Sequence, residues 1–288
     1  MHPCNRRDFI RRGVAAGAAL AFAPAAWPAE VRHANDIIEL GPQKLKVSRM
    51  AIGTGTYGGG GASNQMRQLG AAGLADLFWD AYDHGVIFWD LADGYGSHAA
   101  AKIALKKVPR EKVIISTKTA ARNADAMKAD IDRFRQEMGI DQIDIVLLHS
   151  RMRPTWTELD KGPMDILAEA KEKKLVRSVG ISCHSMEAMK LAATTPWLDI
   201  CLARLNDFGI RMDGDTEEVL PLIADMRKAG KGVIAMKILG EGQLRKRLDD
   251  AFRYAVTKDA VHCFTVGTES REELKDNFDR IPRVSQPA

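Results

Sequence analysis

Between about Ile37 and Arg280, short apolar runs alternate with amphipathic stretches of helical spacing, and the alternation repeats eight times. That rhythm belongs to strand–helix units built on a parallel sheet. Residues 45–52, 86–90, 113–118, 143–149, 176–182, 198–205, 232–237 and 261–266 read as strands. Residues 70–84, 97–107, 123–138, 162–174, 185–194, 215–229, 244–257 and 270–280 read as helices, with Asn123 as an N-cap and Ser270 and Glu273 in capping-box spacing. Eight such units in ~250 residues predict an α/β chain folded as a single (β/α)8 TIM barrel. The competing architecture is an open doubly wound sheet, but no Gly-x-Gly-x-x-Gly opens a helix after the first strand. Four consecutive glycines, Gly58, Gly59, Gly60 and Gly61, follow that strand and predict a mobile loop at the barrel mouth.

Three neighbouring strands stop on ionisable side chains: Asp90, Lys118 and His149, with Tyr95 five residues past Asp90. Strand ends of a parallel barrel converge on one mouth, where barrel enzymes carry their chemistry. Each residue alone has an ordinary reading, as a turn aspartate, a solvated lysine, a loop tyrosine or a strand-end histidine. Together they compose a proton-donating site. A free tyrosine titrates near ~10, too high for efficient donation at neutral pH. A neighbouring ammonium lowers that value, so Lys118 is expected to activate Tyr95, with Asp90 holding Lys118 charged. His149 would orient a substrate oxygen. Such a group polarises and protonates a carbonyl while another agent delivers a hydride.

The rest of the sequence narrows the field. The chain has 288 residues, 45% apolar and 28% charged, with a formal net charge of +4. No basic stripe with interleaved aromatics marks a nucleic-acid partner. The residues Asn5-Arg6-Arg7-Asp8-Phe9 lead into an alanine-rich apolar stretch ending near Pro24. The stretch is shorter than the ~20 residues of a stable membrane span. This pattern resembles a twin-arginine export signal over residues 1–29, cut near Ala25 or Ala29, and it predicts a periplasmic protein handled by the twin-arginine translocation machinery. Cys183, Cys201 and Cys263 lie in apolar runs and read as buried free thiols. No metal-ligand spacing is present, His98 and His184 read as helix-start polar residues, and Ser182 lacks the nucleophile elbow of a serine hydrolase.

The segment from Asp90 to Gly96, Asp-Leu-Ala-Asp-Gly-Tyr-Gly, resembles the Asp-x-Ala-x-x-Tyr-Gly segment of the aldo-keto reductase family. The runs ending at Lys118 and His149, the run from Val176 to Ser182, the run from Gly232 to Gly240 and the tail from Gly267 to Asn277 resemble further segments of that family, in order. The resemblance implies reduction of an aldehyde or ketone by NAD(P)H, with NADP(H) favoured over NAD(H). It makes Tyr95 the general acid, Lys118 and Asp90 its tuning pair and His149 the carbonyl orienter. It implies a cofactor lying across Gly55, Thr56, Ser182, Met236, Lys237, Leu239, Gly240, Gly267, Thr268, Arg271, Glu273 and Asn277, with Asn206 and Glu269 nearby. Cys183 and Leu202 depart from the asparagine and glutamine that hold the nicotinamide amide in that family, and Glu273 stands where a basic residue commonly meets the 2′-phosphate. A rival expectation is an exported nucleotide- or ligand-binding module on the same barrel with little turnover. Specificity is expected from the loops 58–68, 151–161 and 208–215, and the short tail after the last helix predicts an open site.

Overall fold

The structure is a computed structural model and describes residues 31–286; the arginine-rich leader with its cleavage site lies outside the described residues. The chain starts with an antiparallel hairpin of β1 (Ile37–Leu40) and β2 (Leu45–Ser48). Eight parallel strands then close a barrel: β3 (Met50–Gly53), β4 (Phe88–Asp90), β5 (Ile114–Thr119), β6 (Ile143–Arg151), β7 (Val176–Cys183), β8 (Ile200–Arg204), β9 (Gly232–Met236) and β10 (Cys263–Gly267), the last pairing back onto β3. The crossovers are α1 (Asn64–Asp83), α2 (His98–Ala104), α3 (Ala124–Met138), the short α4 (Trp156–Leu159) with α5 (Lys161–Glu172), α6 (Met186–Thr194), α7 (Thr216–Lys228) and α8 (Leu248–Thr257), and α9 (Arg271–Ser285) follows β10. The chain is therefore a (β/α)8 TIM barrel. No helix among the described residues is long and apolar enough to cross a membrane.

The period of two along each strand sorts the core into two shells. Ala51, Phe88, Ile114, Ile145, Leu147, Ile200, Leu202, Ile234 and Met236 pack inside the barrel, and Leu40, Leu45 and Val47 of the hairpin join them. Ile52, Trp89, Ile115, Val146, Ile181 and Val233 face outward against the helices. Where β7 meets β8 the backbones approach closely, and a Cβ on Gly180 would lie 1.9 Å from the Ile200 carbonyl oxygen. Asn123 accepts from the Ala126 N–H at 2.8 Å, and Ser270 accepts from the Glu273 N–H at 3.2 Å, so both caps form.

Three details differ from the sequence reading. The apolar run 45–52 is not one strand, because it breaks at Arg49, which ion-pairs with Asp36 at 3.0 Å. The Ser48 hydroxyl donates to the Met50 carbonyl and accepts from the Ile87 and Phe88 N–H groups, which hands the chain from hairpin to barrel. The first helix begins earlier than 70: Gly70, at φ 64° and ψ −179°, divides two helical pieces, and Ser63 caps the first by accepting from Met66 N–H. The four-glycine stretch forms hydrogen-bonded turns. Gly59 and Ala62 pair, and the Gly61 N–H donates to Gly94 O at 3.0 Å, docking this loop on the segment that carries Tyr95.

Candidate active site

The inward-facing column of each strand continues the barrel core upward and ends at the mouth. Phe88 leads to Asp90, Ile114 to Lys118, Ile145 and Leu147 to His149, Gly180 to Ser182, Ile200 and Leu202 to Arg204, and Ile234 to Met236. Strand parity thus brings these side chains together.

Asp90 and Lys118 are buried against each other. The Lys118 ammonium donates to Asp90 Oδ1 at 2.7 Å and to Leu91 O at 2.8 Å, and Thr265 donates to Asp90 Oδ2 at 3.1 Å. An ammonium with this little exposure is held charged only by such partners. Its nitrogen stands 5.1 Å from the Tyr95 ring centroid. Tyr95 closes the short turn Asp93–Tyr95, which ends on Gly96 at φ 69°. Its ring lies between two glycines: a Cβ on Gly55 or Gly58 would sit 2.4 Å from ring carbons. The phenolic oxygen is 3.3 Å from His149 Nε2, with the two rings edge-on at 83°.

Burial dominates the Tyr95 environment and raises its pKa, with Lys118 acting downward and Asp90 upward. This corrects the expectation of a lowered value. The phenol holds its proton, and the Lys118 ammonium is the neighbour that acts toward its ionised form. His149 is driven the other way, down to about 3, first by burial and then by Lys118, His184, Arg151 and Lys237. His149 is therefore a neutral imidazole at neutral pH.

Sequence reasoning missed two residues here. His184 does sit at a helix start, just before the Ser185 cap of α6, but it also joins the strand-end groups. Its ring bridges Ser182 Oγ (3.3 Å) and Ser150 Oγ (3.4 Å) and stands 6.3 Å, centroid to centroid, from His149. Burial, aided by Arg204 and Lys237, lowers its pKa to about 4. Arg204 reaches the mouth and pairs at 2.9 Å with buried Asp213, whose pKa burial raises to about 6. The parity of Ile200 and Leu202 signals Arg204, but an apolar run read through to Leu205 hides it. Asn206 is spent on its loop: it donates to Ile210 O and accepts from the Phe208 and Ile210 N–H groups. Leu202 lies inside the barrel core, and Cys183 faces outward, 3.7 Å from Cys201.

The residues expected at the cofactor lie mostly on the adjoining arc of β9, β10 and β3. Thr56 is fixed by Gln65, which donates to its hydroxyl at 2.8 Å and accepts from its N–H. A Cβ on Gly267 would meet Thr56 Oγ1 at 2.3 Å, so the two rims touch there. Lys237, in the left-handed region at φ 55°, opens a turn closed by Gly240 N–H on its carbonyl, with Leu239 half-buried within it. Its ammonium pairs with Glu241. Arg271 donates to Asp80 at 2.7 Å, and Glu273 accepts from the Glu269 N–H at 2.8 Å. Asn277 and Thr268 are buried, and the Thr268 hydroxyl has no hydrogen-bond partner among the described residues. An orphaned hydroxyl beside a side-chain-free glycine is a polar cradle that suits a nucleotide.

Asp93, His98 and Glu137 bring donor atoms within 4.8 Å of one another, a cluster not anticipated from sequence spacing. His98 bonds Glu137 and Thr117 at 2.7 Å each, and Arg133 bridges Asp93 and Glu137, so the two carboxylates already have a cation.

The solved structure of an aldo-keto reductase from Pseudomonas aeruginosa superposes with a TM-score of 0.72 at 22% identity, covering 88% of this chain and 98% of that one. The NADH-specific methylglyoxal reductase of Escherichia coli K12 is 26% identical over 211 residues, 65% of this chain and 63% of its own length. The NAD/NADP-dependent indole-3-acetaldehyde reductase of Schizosaccharomyces pombe is 28% identical over 170 residues, 56% of each chain. The chain thus spans about three-fifths of these curated relatives. The aldo/keto reductase family model matches residues 49–252, from the entry of the first barrel strand into α8. With that match covering most of the barrel, the chain belongs to the aldo/keto reductase family.

Proposed function

We propose that this protein reduces an aldehyde or ketone to an alcohol, with Tyr95 as the general acid. The observation that carries the reading is the 3.3 Å approach of the Tyr95 phenol to the neutral His149 imidazole, above a buried Lys118–Asp90 pair. A reduced nicotinamide held at the β9–β10–β3 rim would supply the hydride. A carbonyl oxygen set between phenol and imidazole accepts a hydrogen bond from each. As negative charge grows on that oxygen, Tyr95 releases its proton to it, and the Lys118 ammonium steadies the phenolate left behind. Asp90, itself held by Thr265, keeps Lys118 charged and in place.

Thr268, Asn277 and the turn from Lys237 through Leu239 to Gly240 would hold the nucleotide's polar groups, Met236 would lie under the nicotinamide, and Ser182 would bind its amide. NADP(H) is the form we assign, on Arg271 at the opening of α9. Its exposed pair with Asp80 is of a kind worth under ~1 kcal/mol and so yields to a 2′-phosphate. We also propose export of the folded chain through the twin-arginine machinery, on the Arg6-Arg7 leader; fractionation of cells expressing the full chain tests it.

The test of the enzyme reading is Tyr95→Phe. Carbonyl turnover should fall about a thousandfold, within the range of a lost general acid, while nucleotide binding persists by fluorescence titration. Full activity in Tyr95→Phe removes the assigned acid. A wild-type protein that binds nucleotide and turns over no carbonyl is instead the binding module.

A further inference from the structure

Beside the catalytic group, β6 ends irregularly. Its register against β7 shifts between Leu148 and Arg151, and Ser150 takes a left-handed φ of 55°. A bulge of this kind re-aims the side chains that follow it. Here it turns the chain after His149 outward, into a cleft of about 480 Å³ that Ser150 begins to line.

The cleft has two kinds of wall. Met152, Trp156 and Leu159 give an apolar face; Met152 and Leu159 are among the few large apolar side chains left exposed. Trp156 is rigid, because its indole N–H donates to Ala188 O at 3.2 Å. The other wall is cationic. Arg122, Arg151 and Arg153 all line it, and Asp160 is the only carboxylate among its lining residues. That carboxylate is spoken for: Arg151 Nε donates to Asp160 Oδ2 at 2.6 Å, and Arg122 leans on Oδ1 at 3.5 Å. Arg151 also donates to His149 O and Ala121 O, which ties the cleft floor to the catalytic strand. The Arg153 side chain makes no hydrogen bond or ion pair among the described residues, and it is exposed. Three guanidinium groups therefore face one carboxylate, and the excess positive charge stands beside an apolar wall in a cleft whose lining begins at Ser150, the residue after His149.

We propose that this cleft is an anion subsite and that the substrates are aldehydes or ketones bearing a carboxylate, joined to the carbonyl through an apolar spacer. The inference rests on the reductase reading above. With the carbonyl oxygen at Tyr95 and His149, the spacer crosses Ser150 and packs on Met152, Trp156 and Leu159. The carboxylate then meets Arg153 and Arg122, whose planar forks match it bidentately.

The probes are 4-carboxybenzaldehyde and its methyl ester, which differ in charge with the carbonyl unchanged. Wild type should prefer the acid by about tenfold in kcat/KM, as expected for a charge-assisted contact, mostly through KM and less so as salt rises. In an Arg122→Gln/Arg153→Gln variant the acid-to-ester ratio should fall to near one, whereas Arg153→Lys should keep much of the preference. Equal rates, a preference for the ester, or a preference that survives the double variant overturns the subsite. If neither aldehyde is reduced, the reductase reading fails separately, and calorimetric titration with the acid still decides. Binding to wild type that is lost in the double variant supports the subsite; no binding, or binding indifferent to the two arginines, overturns it.

Discussion

The two halves of the barrel mouth are built differently. On the β4–β5–β6 arc, the four groups sit on strands or one tight turn away and hold one another, Lys118 on Asp90 and Leu91 O, Tyr95 on His149, with Thr265 of β10 fixing Asp90. On the β9–β10–β3 arc, the expected contacts sit in turns and at a helix start, and several are engaged within the protein: Lys237 with Glu241, Arg271 with Asp80, Glu273 with the Glu269 N–H. On the function proposed above, one arc is preorganised for chemistry, whereas the other exchanges internal contacts for a ligand. Preorganised groups should give large, local mutational effects, and exchangeable ones should give small effects on affinity.

After Tyr95→Phe, the sharpest probe of the preorganised arc is Lys118→Met. It strands Asp90 as a buried, uncompensated carboxylate, which costs about 3–5 kcal/mol. Urea unfolding should show that loss, and turnover should fall with it. An unchanged urea midpoint would mean that the pair is not held as described.

Gly55→Ala comes next. Its new methyl would sit 2.4 Å from the Tyr95 ring, so the ring must move. We expect kcat to fall at least tenfold, since a shift of about 1 Å in a catalytic group costs up to a hundredfold, with little change in nucleotide affinity. Loss of nucleotide binding with kcat intact would assign Gly55 to the other arc.

The neutral imidazoles predict the pH dependence of stability. His149 and His184 have folded pKa values near 3 and 4, below the unfolded 6.5. Both states are neutral above pH 6.5; below it the unfolded chain binds protons first. Stability is therefore full above pH 6.5 and falls as the pH drops toward the folded values, by about 2 kcal/mol per imidazole at pH 5. Urea midpoints from pH 8 to 5 should show the loss, and His149→Gln should remove one imidazole's share of it. A stability rising toward pH 5 would mean charged imidazoles.

The smallest effect belongs to the exchangeable arc. Arg271→Ala should weaken NADPH binding about threefold, as for an exposed charge contact, and leave NADH unaffected. Equal effects on both would remove Arg271 from the 2′-phosphate.

Legibility from the sequence follows the same division. The barrel is plain because eight apolar runs with helices between them admit few other folds, and Asp90, Lys118 and His149 stand out because each ends such a run. Arg204 shares their geometry, but the apolar residues beyond it disguise the strand end. His184 lies past a strand end, where hydrogen bonds to two serines, rather than periodicity, decide its direction. The Arg49 break was hidden because apolar residues flank it on both sides, and the ties to Asp36 and Ser48 come from elsewhere in the fold. The direction of the Tyr95 shift depends on how deeply the phenol is buried, which spacing alone does not carry.

The reaction itself can be followed atom by atom. Reduced nicotinamide deuterated at its hydride-bearing carbon, mixed with wild-type protein and an aldehyde, should give an alcohol with one deuterium on the former carbonyl carbon, and Tyr95→Phe should give almost none in the same time. An unlabelled alcohol, or equal labelling by both proteins, would contradict hydride transfer completed by the Tyr95 proton.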